Sequence, residues 1–104
     1  MYIDTHCHLG DEKISDTDAT VKAYLSAGVD TVIDIGCNLQ SSINSKCLAE
    51  KYDSVYFAAG FHPSDINHFD ETSAQQICNL AKHPKCVAIG EIGLDYHWVI
   101  KPRC

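Results

Sequence analysis

Apolar residues in this chain gather into short β-prone runs separated by stretches with helical spacing. The runs are residues 2–9, then Thr31-Val32-Ile33-Asp34-Ile35-Gly36, Val55-Tyr56-Phe57-Ala58-Ala59-Gly60 and Cys86-Val87-Ala88-Ile89-Gly90-Glu91. Between the first two, Ser15-Asp16-Thr17-Asp18 offers N-caps for a helix whose inner face is Val21, Tyr24 and Leu25 and whose C-cap is Gly28. A second helix opens at Asn38 and Ser41 or Ser42, with Ile43, Cys47, Leu48 and Tyr52 as its apolar positions. A third is capped by Asp70 or Ser73, carries Ile77, Leu80 and Ala81, and is cut off from the last run by Pro84. Strands alternating with helices predict βα units around a parallel sheet. The count is four strands and three helices, an α/β chain forming one domain over residues 1–104.

Composition narrows this further. At 104 residues the chain falls well below the ~200 that a complete TIM barrel needs. Hydrophobic residues at 45% against 21% charged exclude a disordered chain. No long apolar run occurs, so neither a membrane span nor a signal peptide is expected, and the compartment expected is cytoplasm or nucleus. The six cysteines (7, 37, 47, 78, 86 and 104) include no CxxC pair and are expected as reduced thiols. The net charge is −6, with eight scattered Lys and Arg residues and no basic stripe. A phosphodiester would therefore have to be drawn in by metal charge and backbone dipoles in a pocket, not by a cationic surface.

The chemistry-bearing residues sit at strand ends. His6 and His8 are two apart on a β-prone run, so period-2 geometry puts both on one face and Cys7 on the other, in the core. Asp4 shares the His6/His8 face by the same rule, either orienting an imidazole or standing as a polar interior residue. Glu91 closes the fourth run between two glycines. Two histidines from one strand and a glutamate from another can hold a divalent metal and leave a position open for water. Asn38 and His62 fall at the same C-terminal ends of the predicted parallel strands, the edge from which TIM barrels draw catalytic groups. His62 precedes Pro63, which holds it extended in a loop. His68, His83 and His97 lie in polar contexts and are expected to be exposed.

Three ordered motifs carry a family resemblance: Tyr2-Ile3-Asp4-Thr5-His6-Cys7-His8-Leu9, Gly60-Phe61-His62-Pro63 and Gly90-Glu91-Ile92-Gly93-Leu94-Asp95-Tyr96. Together they resemble the TatD family of metal-dependent deoxyribonucleases, amidohydrolase-like TIM barrels, from Met1 to about Trp98. The resemblance implies about half of a (β/α)8 barrel, and a hydrolase that cleaves phosphodiester bonds of DNA. It implies that His6 and His8 hold one metal and that Glu91 is the catalytic carboxylate bridging it to a second. It also implies that His62 contacts a substrate phosphate. The family uses two divalent ions of the Mg, Mn or Zn type. Its remaining ligands, two histidines and an aspartate from later strands, have no counterpart here, so at most one ion and weak or no activity alone are expected. Val99-Ile100-Lys101-Pro102-Arg103-Cys104 departs from the family's amphipathic helix, since Pro102 would break it. Residues 99–104 are thus expected as a divergent terminus of a truncated TatD-like domain. The alternative is a non-catalytic, metal- or partner-binding half-barrel, and open sheet edges also predict self-association.

Overall fold

Each apolar run becomes a strand paired with its neighbour in chain order. The computed structural model describes residues 1–11 and 14–93. Strands β1 (Tyr2–Cys7), β2 (Val29–Ile35), β3 (Val55–Ala59) and β4 (Cys86–Ile89) form one parallel sheet in the order β1-β2-β3-β4. Helices α1 (Thr17–Ser26), α2 (Leu39–Lys51) and α3 (Glu71–Ala81) supply the crossovers. This is the predicted half-barrel of alternating βα units.

Local chemistry sets the helix boundaries. Asp16, Asn38 and Asp70 are the N-caps, accepting from the amides of Ala19, Ser41 and Ser73 respectively. Caps of this kind contribute ~1 kcal/mol each by satisfying amides that the helix leaves unpaired. Asn38, just beyond the C-terminal end of β2, uses its side-chain oxygen to cap α2, as its place at the helix start predicts. After α1, Gly28 takes φ +86°, a left-handed turn that leads straight into β2. At the other end of α2, the Lys85 ammonium donates to the carbonyls of Ala49 and Tyr52 at 2.6 and 2.8 Å, closing the helix C-terminus.

The helix-facing side of the sheet carries the core. Val32, Val55, Phe57 and Ala59 meet Val21, Ala49, Phe61 and Ile77 there, with Cys7 and Leu9. α2 departs from its predicted face. Ser42, Ser45 and Ala49 are its buried positions, whereas Cys47 is exposed and Ile43, Leu48 and Tyr52 are half-buried. Small residues let α2 lie close to the sheet. A Cβ on Gly36 would collide with the Ser42 hydroxyl, and the Ser42 hydroxyl donates to Gly60 O while the Gly60 N–H donates to it, at 3.4 and 3.2 Å. Leu25 of α1, expected inside, is 49% exposed.

A bulge in β1 corrects the expected placement of Asp4. Asp4 pairs with Val32 and Cys7 with Asp34, so three steps on β1 match two on β2. The extra residue turns Asp4 to the helix side, where it accepts from the Tyr24 hydroxyl at 2.9 Å. Its other oxygen accepts the His6 backbone N–H at 3.0 Å. Cys7 lies in the core as expected, its thiol donating to Ile33 O. Burial, and then the nearby Asp34 and Asp4 carboxylates, push that thiol up to about 12.

Candidate metal centre

The C-terminal ends of β1, β2, β3 and β4 converge on one group of side chains. One donor atom each from His6, His8 and Glu91 lies within 4.8 Å of the other two. The His6 and His8 rings meet edge to face, with centroids 5.0 Å apart. Glu91 is tied down through its backbone, its N–H donating to Gly36 O at 2.8 Å, while Gly90 N–H donates to Ala59 O at 3.0 Å. Gly60 packs under this turn, where a Cβ would lie 2.6 Å from Glu91 O and 2.7 Å from the Gly90 carbonyl carbon. A glycine is required there by close approach.

Hydrogen-bond partners assign the tautomers of two histidines. His8 Nδ1 lies 3.1 Å from Ile35 O, which can only accept, so in the neutral ring Nδ1 carries the hydrogen and Nε2 keeps a free lone pair. That Nε2 faces Glu91 Oε2 at 3.8 Å. This is the arrangement of a metal-binding imidazole oriented by a backbone carbonyl. His62 is the reverse. Its Nδ1 accepts the Ser64 N–H at 3.1 Å and faces the Ser64 hydroxyl at 2.7 Å, leaving the hydrogen on Nε2. His62 Nε2 faces Glu91 Oε1 at 3.8 Å, so His62 presents a donor to the site and not a lone pair. His62 also caps the 3₁₀ turn Pro63–His68, which the sequence pattern did not signal.

Sequence reasoning missed two members of this region. Cys37, two residues after the end of β2, donates its thiol hydrogen to Glu91 Oε2 at 3.3 Å. Burial first, and then Glu91, push that thiol up to about 11, so it is a neutral donor in this state. Asp34 is the other. It is 2% exposed and accepts from the Leu9 N–H and the Ser45 hydroxyl, each at 2.6 Å, thereby joining the end of β1 to α2 behind the histidines. Burial raises its pKa against the lowering effect of those two bonds. The sequence signal was present: a lone carboxylate inside Val32-Ile33-Asp34-Ile35 had to be satisfied internally. His83, expected exposed, is half-buried; it packs edge to face on Phe57 and accepts the Lys85 N–H at 3.0 Å. Asp95 and Tyr96 of the third motif, and the expected divergent terminus, lie outside the described residues.

A family model described as TatD related DNase matches residues 3–103. The chain belongs to this family. Among its TatD relatives, the uncharacterized metal-dependent hydrolase YabD of Bacillus subtilis is 35% identical, over 99% of this chain and 41% of that protein. The 3'-5' ssDNA/RNA exonuclease TatD of Escherichia coli is 38% identical, over 79% of this chain and 32% of that protein. The crystal structure of the TatD homologue YjjV from Escherichia coli superposes with a TM-score of 0.83 at 34% identity, covering 91% of this chain and 38% of that one. The chain thus spans about two fifths or less of the length of these TatD relatives. Among the described residues, no helix is long and apolar enough to cross a membrane.

Proposed function

We propose that this chain carries the first metal site of a TatD-type hydrolase acting on phosphodiester bonds of single-stranded nucleic acid. The observation that carries this is the approach of His6, His8 and Glu91 to within 4.8 Å, at the sheet edge where barrel enzymes place their chemistry. Two imidazoles and one carboxylate are a donor set suited to a catalytic zinc-type ion with an open position. Bound there, a divalent ion supplies a polarised phosphoryl oxygen and a water of lowered pKa.

The chain's own groups divide the remaining work. His8 offers the Nε2 lone pair that its bond to Ile35 leaves free. Glu91 directs one oxygen toward His8 and the other toward His62. His62 donates its Nε2 hydrogen to a non-bridging phosphate oxygen, the role its tautomer supports. The substrate class follows the Escherichia coli relative, which is named for single-stranded DNA and RNA.

Phosphodiester hydrolysis in two-metal sites uses ions ~3.5–4 Å apart. In this polypeptide Glu91 is the one carboxylate aimed into the cluster among the described residues, and one carboxylate does not fix a second ion. The 104-residue chain assayed by itself is therefore expected to bind at most about one ion and to turn over weakly or not at all. The test combines elemental analysis with digestion of single-stranded DNA in Mg²⁺ or Mn²⁺, using this chain, His6→Ala and Glu91→Gln. Metal lost in His6→Ala supports the site. Metal indifferent to His6 overturns it, and robust cleavage abolished in Glu91→Gln overturns the expected inactivity.

A further inference from the structure

The backbone of Cys37 is held by two contacts beside the cluster. Its N–H donates to the Ser41 hydroxyl at 2.7 Å, and its carbonyl accepts the His62 N–H at 2.7 Å. Gly36 before it is held against Ser42, and Asn38 after it caps α2. The thiol lies at the edge of the cluster, 3.3 Å from Glu91 Oε2 and 4.0 Å from His8 Nδ1. Among the cysteines of the described residues, Cys47 and Cys78 lie exposed elsewhere, and Cys7 is in the core.

Glu91 Oε2 is the shared point. It stands 3.3 Å from Cys37 Sγ and 3.8 Å from His8 Nε2. Two donors on one tetrahedral ion, with bonds of ~2.0–2.3 Å, lie roughly 3.3–3.7 Å apart. The sulfur–oxygen separation already falls in that range. The sulfur lies on the Nδ1 side of the His8 ring, so joining an ion at Nε2 requires a side-chain rotation of Cys37 toward the cluster.

We propose that Cys37 is an additional ligand, making the centre a mixed nitrogen, oxygen and sulfur site that selects thiophilic ions such as zinc(II), cobalt(II) and cadmium(II) over Mg²⁺ and Mn²⁺. This rests on the His6/His8/Glu91 metal site proposed above. Coordination replaces the S–H bond by a sulfur–metal bond, and the proton leaves to solvent or buffer. The donor balance carries the selectivity, because thiolate favours soft and borderline ions whereas carboxylate and water suit Mg²⁺ and Mn²⁺.

The test titrates the full chain with cobalt(II) and cadmium(II), following sulfur-to-metal charge-transfer absorption while elemental analysis reports bound metal. The expected result is a band that saturates with the bound ion, vanishes in Cys37→Ser, and persists in a Cys47→Ser/Cys78→Ser double variant. Cadmium(II) affinity should fall roughly tenfold or more in Cys37→Ser, with Mn²⁺ affinity unchanged. A second readout on the unaltered chain needs no variant: saturating zinc(II) should protect Cys37 from alkylation, read at that residue by mass spectrometry. Metal that depends on His6 but shows no thiolate band, or a band that survives in Cys37→Ser, overturns the proposal and leaves the metal site standing. Alkylation of Cys37 unaffected by bound zinc overturns it equally. Absence of any His6-dependent binding removes the metal site and the sulfur ligand together.

Discussion

Replacing Gly60 by alanine tests how a backbone contact positions the metal centre. The added Cβ would meet Glu91 O at 2.6 Å, Gly90 C at 2.7 Å and Gly90 O at 2.8 Å. Comfortable packing of such atoms needs ~3.5 Å, so the Gly90–Glu91 backbone must retreat by roughly 0.7–0.9 Å. Overpacking of this kind costs ~1–3 kcal/mol. In a domain of this size that lowers the melting temperature by ~4–8 °C per kcal/mol. The effect on function is the sharper one. Metal sites tolerate displacements of only about 0.2 Å in donor position, so Gly60→Ala should lose roughly tenfold to a hundredfold in zinc(II) affinity. The comparator is Val55→Ala, fully buried at the opposite end of β3. It should cost ~2–3 kcal/mol and leave metal affinity alone. Competition against a chromophoric chelator measures affinity, and circular dichroism of the metal-free proteins measures stability. A folded Gly60→Ala variant with native zinc affinity would refute the idea that Gly60 places Glu91.

Other expectations follow from the same structure. Asp34→Ala strands the Leu9 N–H and the Ser45 hydroxyl and should cost roughly 2–4 kcal/mol, measured by urea unfolding, whereas Asp34→Asn keeps an acceptor for Leu9 and should cost far less. The Asp34 carboxyl has a raised folded pKa, so the folded state takes up its proton first. The stability that this proton uptake supplies is therefore full below the ordinary carboxylate value of 3.8 and is lost as pH rises through the folded value, a slope that should vanish in Asp34→Asn. Zinc(II) at a hundred times its Kd should raise unfolding free energy by ~2.7 kcal/mol, and His8→Ala should abolish that gain. Both sheet edges carry exposed apolar residues, Ile3 on β1 and Val87 on β4, so sedimentation should reveal concentration-dependent association that Ile3→Lys and Val87→Lys reduce. A monodisperse, cooperatively unfolding monomer would count against it.

The strands were legible because buried parallel strands read as apolar runs; β3 is of that kind, and β2 reads so apart from its Asp30, Thr31 and Asp34. Helix starts were legible because Asp16, Asn38 and Asp70 are side chains that compete for unpaired amides. The convergence of His6, His8, His62 and Glu91 followed from their common position at or just beyond the C-terminal ends of parallel strands, independent of any detail of packing. The buried face of α2 was not legible. Serines read as polar in a periodicity count, and only the tertiary contact with Gly36 and Gly60 turns Ser42 into an interior residue. Cys37 escaped for a related reason: a thiol beside Glu91 looks, in one dimension, like any small apolar residue at a strand end.

The extra residue in β1 divides that strand into two separately phased pieces. Asp4 before the bulge belongs to the helix layer through Tyr24, while His6 within the shifted segment and His8 beyond it belong to the rim. Losing Thr5 would restore regular alternation and still leave the imidazoles facing the rim, with Asp4 facing the helices. Losing Cys7 would instead put the two imidazoles on opposite faces. The metal centre is therefore guarded by the number of residues between His6 and His8, whereas the chain just ahead of them tolerates a change of length.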